Sequence, residues 1–84
     1  MEVNVALKFE NKFKIGDKIK AQDFFGKPEF YIAGKITGTD VIRGAKVYLI
    51  DIEEDTLDAG REGDVGYVPM EVSFMEWDNR VSLY

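Results

Sequence analysis

The chain has 84 residues, which is one small domain with room for a single core. Its composition is 45% hydrophobic, 13% aromatic and 32% charged, a globular mixture rather than a disordered one. Cysteine and histidine are both absent, which excludes disulfides, Cys/His zinc sites, thiol nucleophiles and any Ser-His relay.

The net charge of −5 is unevenly spread. Residues 1–46 carry nine Lys/Arg against six Asp/Glu, whereas residues 47–84 carry two against ten. Such asymmetry is either a pair of partner surfaces or only a solvated coat. No stretch is long enough for a transmembrane helix, and Met1 to Val5 lack the pattern of a signal peptide. The expected location is the cytoplasm, without membrane association.

Val3, Val5, Leu7 and Phe9 alternate with Glu2, Asn4, Lys8 and Glu10, which predicts an N-terminal strand with one wet face. Phe13 and Ile15 then alternate with Lys12 and Lys14, and Ile19 lies between Lys18 and Lys20. The lysines are expected to project together from adjoining extended segments, where they also guard an edge. Residues 22–29 form a breaker-rich loop holding two adjacent phenylalanines, Phe24 and Phe25. A strand is expected over Phe30–Thr37, with Gly34 marking a bulge or a close backbone approach. A turn region follows at Gly38–Gly44. Ala45–Ile52 is apolar on both faces and predicts a central strand.

From Asp51 to Asp64 there are seven acids against Arg61, which predicts an exposed acidic loop. Val65–Met75 returns to strand-type residues, with Pro69 placed at an edge, bulge or strand end and a 3₁₀ turn expected around Pro69–Glu71. Phe74, Met75, Trp77, Val81 and Leu83 suggest a last hairpin turning at Asp78-Asn79, residues that tolerate a positive φ. Five to seven short strands without an amphipathic helix predict an all-β barrel or a small sandwich.

Ile15-Gly16-Asp17-Lys18-Ile19-Lys20-Ala21, then Tyr31-Ile32-Ala33-Gly34-Lys35-Ile36, then Val47-Tyr48-Leu49-Ile50-Asp51 resemble the first half of an SH3-like barrel of the Tudor or KOW kind. The resemblance implies a single SH3-like β-barrel domain over residues 1–84, with an additional N-terminal strand. Tudor modules hold methylated cations in an aromatic cage, which implies walls from Phe24 or Phe25 and from Tyr31. Ile52-Glu53-Glu54 departs from that pattern, where an aromatic and a Gly-Asn step are expected. Val68-Pro69-Met70-Glu71-Val72 and Glu76-Trp77-Asp78-Asn79-Arg80-Val81 also resemble small uncharacterised proteins encoded by bacteriophages. A phage origin would place the protein in the cytoplasm of the host.

Asp51, Glu53, Asp55 and Glu62 echo the spacing of a calcium loop, yet Thr56 stands where the sharp turn needs glycine. The reading adopted is a solvated acidic loop, with no metal and no cofactor. Neither Ser73 nor Ser82 has a nucleophile-elbow context, and no Gly-rich phosphate loop is present, so an enzyme is not expected. The expected function is recognition of a macromolecular partner, a protein, through Phe24, Phe25, Tyr31 and Trp77 together with Asp51, Glu53, Glu54 and Asp55. In a phage setting this becomes an accessory or anti-defence factor that binds a host protein. An acidic surface that mimics DNA is one way to engage such a protein. The first alternative is a nucleic-acid-binding barrel that uses Lys12, Lys14, Lys18 and Lys20. The second is an oligomer that sequesters a small nucleotide between subunits. An exposed edge at residues 2–9 is a candidate for homo-oligomer formation.

Overall fold

The structure is a computed structural model that describes residues 8–71 and 77–84. Five strands form one antiparallel sheet: β1 (Lys18–Gln22), β2 (Tyr31–Ile42), β3 (Ala45–Asp55), β4 (Val65–Pro69) and β5 (Val81–Leu83). Their order is β4-β3-β2-β1-β5, so four strands meander and the fifth returns beside the first. No described residue is helical, and none belongs to a helix long and apolar enough to cross a membrane. The protein is all-β.

The central position expected for β3 follows from its composition. Val47, Tyr48, Ile50 and Ile52 are buried, and the strand pairs with β2 on one side and β4 on the other. β2 reaches past the expected boundary at Thr37 to Ile42, and residues 38–42 are strand rather than turn. Thr39, Val41 and Ile42 are β-branched and suit an extended chain. The reversal needs only Arg43 and Gly44, both at positive φ, in a two-residue hairpin. Gly34 behaves as its position suggested. The β2–β3 register shifts between Ala33 and Gly34, where Glu53 is the extra residue, and a Cβ on Gly34 would lie 1.8 Å from the Asp51 carbonyl oxygen.

The opening of the chain departs from the alternating pattern. Residues 8–12 are turn, Asn11 takes φ 61°, and β1 begins only at Lys18. Phe9 and Phe13 both face the core, with ring centroids 6.5 Å apart, and Phe13 meets Tyr48 edge-on at 5.8 Å. An extended chain would set Phe9, Phe13 and Ile15 on one face, whereas the turns through this segment keep only the two rings inside. Ile15 consequently points outward at 70% exposure. The expected strand over residues 2–9 lies outside the described residues up to residue 7; residues 8 and 9 are turn, and Phe9 is buried in the core, on the apolar side that the alternation gave it.

Phe9, Phe13, Ile19, Ile32, Ile36, Tyr48, Ile50, Val68 and Val81 make one continuous core. The Tyr48 hydroxyl donates to the Phe9 carbonyl and accepts from the Phe13 N–H at 3.4 Å, which ties the opening turn to the central strand. Pro69 ends β4, as expected for a residue without an N–H. Met70 is a bend and Glu71 is irregular, so no 3₁₀ turn forms over residues 69–71. The turn at Asp78-Asn79 is present, with the Arg80 N–H donating to the Trp77 carbonyl at 3.3 Å, and neither turn residue takes a positive φ. The first arm expected for that hairpin, at Phe74 and Met75, lies outside the described residues.

Candidate partner-binding site

The loop between β1 and β2 is closed by its own backbone. The Asp23 N–H donates to the Phe30 carbonyl at 2.9 Å, the Lys27 N–H to Phe24 at 3.2 Å and the Phe30 N–H to Lys27 at 3.1 Å. Gly26, at φ 79°, permits the tight reversal. The loop presents Phe24 and Phe25 at 46% and 49% exposure, high for rings of this size. Each is nevertheless held. Phe24 meets Phe30 edge-to-face at 6.0 Å, and Phe25 meets Trp77 edge-to-face at 5.6 Å. Trp77 packs against the core on one side and carries the Arg80 guanidinium 4.8 Å from its ring centroid. The result is an exposed aromatic edge braced from behind.

Tyr31 joins a different cluster, on the outer face of the sheet. Its ring lies 5.7 Å from that of Tyr84, and both hydroxyls converge on Glu54, at 3.2 Å from Tyr31 and 2.6 Å from Tyr84. The Glu54 carboxylate, then the neighbouring Tyr31 hydroxyl, hold the Tyr84 phenol well above its ordinary pKa. Lys20 caps the pair, its Nζ 4.9 Å from the Tyr31 ring and 5.6 Å from the Tyr84 ring. Residues opposite one another across a sheet share a face. The register sets Lys18 beside Lys35, Lys20 beside Ala33, Ala33 beside Glu54, and Lys35 beside Asp51. Glu53 forms an ion pair with Lys18 at 3.1 Å. The cationic ends of the cage thus come from the chain itself, and neither Phe24 nor Phe25 is a ring partner of Tyr31.

The lysines do not form one stripe. Lys12 lies in the opening turn, 5.7 Å from the Phe9 ring, and Lys14 precedes β1 with its N–H donating to Asp17. Lys18 and Lys20 share the outer sheet face with Asp51, Glu53 and Glu54. That face is of mixed charge.

The acidic segment is a strand end followed by a loop, since Asp51–Asp55 belong to β3. Asp55 corrects the expectation of exposure: its side chain is fully buried. It accepts backbone N–H donors from Leu57, Ala59 and Arg61, each at 3.1 Å, and side-chain donors from Arg61 at 2.7 and 3.0 Å. The Arg61 side-chain bonds hold the Asp55 carboxyl far below the usual carboxylate range, against the opposing effect of burial. Arg61 also grips Asp23 with two bonds at 2.9 and 3.0 Å, and these carboxylates raise its own pKa. One guanidinium therefore staples the loop at 23–30 to the loop at 56–64. No three carboxylates converge as a metal site among the described residues.

Arg61, Arg80 and Tyr84 were not singled out from sequence, and Glu54 was expected only as one of the exposed acids. Arg61 alone left a trace, as the single cation within the acidic stretch. No protein-family model, curated protein or solved structure matches this chain.

Proposed function

We propose that the protein is an SH3-like barrel that acts as a non-catalytic protein-binding module, with Phe24, Phe25 and Trp77 as its contact edge. The strand order β4-β3-β2-β1-β5 supports the barrel reading, since a four-stranded meander with the fifth strand beside the first is the connectivity of small barrels of this kind. The observation that carries the functional reading is the pair of half-exposed phenylalanines, each fixed edge-to-face by a second ring. Exposed aromatics beside an arginine are the residue types that anchor protein interfaces, and a braced ring loses little freedom on binding. The mixed charge around Lys18 and Lys20 favours a protein partner over a polyanion. If the sequence resemblance to phage-encoded proteins reflects the protein's origin, the partner proposed is a bacterial host protein, engaged by an accessory or anti-defence factor.

The test is capture from a bacterial lysate on immobilised full-length chain. One protein retained by wild type and by Ile15→Ala, but reduced at least about tenfold by Phe24→Ala/Phe25→Ala, is the expected result. Capture indifferent to both rings overturns the reading. So does salt-sensitive DNA or RNA binding that Lys18→Ala/Lys20→Ala removes, or a nucleotide that raises the melting temperature of an oligomer.

A further inference from the structure

We infer that the cleft between β4 and the Trp77–Arg80 turn receives a carboxylate carried on an extended acidic segment of the partner protein. This rests on the binding-module reading and names the chemistry of the partner. β4 pairs only with β3 among the described residues, none of which bonds its outer edge. Beside that edge lies a cleft of about 360 Å³, bounded by Tyr67, Gln22, Asp64 and Arg80 and floored by Ile52 and Val68.

Arg80 is the unusual group in it. Its Nε is sealed from solvent and has no acceptor, and its guanidinium enters no ion pair with the described residues. Among the described residues it touches the Trp77 ring and no carboxylate. Burial lowers the Arg80 pKa, offset only by the more distant charge of Asp23. Asp23 instead turns both its oxygens to Arg61. An arginine stays charged in a protein, so a partly buried guanidinium without an acceptor is half of an ion pair.

The surroundings favour a planar, singly charged group as the missing half. A carboxylate and a phosphate both match the guanidinium fork, but Asp23 and Asp64 also line the cleft and repel a doubly charged phosphate more than a singly charged carboxylate. The apolar floor, and a strand edge that no described residue pairs, favour an extended peptide over a free ion. Such a segment can add its backbone to β4, set alternate apolar side chains over Ile52 and Val68, and turn an acidic one toward Arg80.

The full-length ¹⁵N-labelled chain is titrated with acetyl-Val-Glu-Val-Glu-Val-amide, with its Gln counterpart and with inorganic phosphate, while the Arg80 Nε–Hε resonance is followed. Saturable shifts at Arg80 and at the β4 amides are expected with the Glu peptide. The Gln peptide and the Arg80→Lys variant should each bind about tenfold more weakly. No saturable shift, equal responses to the two peptides, or full affinity in Arg80→Lys overturns the inference, as does phosphate binding as tightly as the Glu peptide. The comparison of peptides is made on wild type, so it decides the matter even if Arg80→Lys fails to fold. Ring-dependent capture with no peptide binding refutes this inference and leaves the module reading standing. Peptide binding at Arg80 with ring-independent capture does the reverse.

Discussion

Replacing Gly34 by alanine adds one methyl group at the point where β2 lies closest to β3. That Cβ would stand 1.8 Å from the Asp51 carbonyl oxygen, 2.7 Å from its carbon and 3.2 Å from the Ile52 Cα. All three are backbone atoms, so no side-chain rotation relieves the clash. Reaching even a tight contact of 3.0 Å requires the strands to part by more than 1 Å, which breaks the local ladder bonds. Two lost bonds at about 1 kcal/mol each, with about 1–3 kcal/mol of overpacking strain, give a loss of roughly 3–5 kcal/mol. For a chain whose whole stability is of order 4–12 kcal/mol, that approaches unfolding at physiological temperature. At about 4–8 °C per kcal/mol the melting temperature falls by at least ~12 °C. Two other glycines supply the scale. A Cβ on Gly38 meets only Leu49 Cδ1 at 3.9 Å, so Gly38→Ala should be neutral or gain about 0.5 kcal/mol from a stiffer unfolded chain. A Cβ on Gly66 meets side-chain carbons of Ile32 and Ile52 at 3.0 Å, which can yield, for a cost of about 1–2 kcal/mol. Thermal melts followed by far-ultraviolet circular dichroism rank the three. A Gly34→Ala protein melting within about 2 °C of wild type would refute the close approach of the two strands.

Tyr48→Phe removes the hydroxyl that serves both the Phe9 carbonyl and the Phe13 N–H, and should cost about 1–3 kcal/mol in urea unfolding with little change in the slope. Arg61→Gln should lower the melting temperature at neutral pH and flatten its acid dependence. The Asp55 carboxyl is depressed in the folded protein, so its contribution is complete above the ordinary value of 3.8 and fades as pH falls toward the lower folded value. Wild type should therefore lose more stability than Arg61→Gln below about pH 4. An equal acid slope in both proteins would show that the pair does not couple to folding.

Local pattern carried much of the fold and little of the site. Gly34, Pro69 and the apolar run of β3 were legible because each is a constraint on one residue's own backbone or on both faces of one strand. The opening segment was misread because Phe9, Phe13 and Ile15 fit a period of two, while the turn at Asn11 puts the first two inside and the third outside. Gly38 read as a breaker, but it sits at a register shift inside β2, and the reversal belongs to Arg43-Gly44. Among seven acids in a row of fourteen residues, nothing local distinguishes Asp55. Only the fold-back of the loop at 57–61, which brings three N–H groups and the Arg61 guanidinium onto Asp55, decides which acid is buried. Tyr84 and Glu54 meet through β5 pairing with β1, a contact thirty residues long in sequence that no window of the chain reports.

The acids of this protein thus divide by role. Asp23 and Asp55 are spent on Arg61, and Glu53 on Lys18, so the segment that looked like a negative flap is partly an internal fastening. That fastening bears on the aromatic edge, because Asp23 is the first residue of the loop that carries Phe24 and Phe25, and its N–H closes that loop onto Phe30. Exposed rings on a loose loop would lose conformational freedom on binding and weaken it, whereas rings fixed beforehand avoid much of that cost. The buried ion pair is an inefficient source of stability next to an apolar packing of equal volume. Its value here is geometric: a fork with two carboxylates sets the positions of two loops at once, in a domain whose single core is too small to reach either of them.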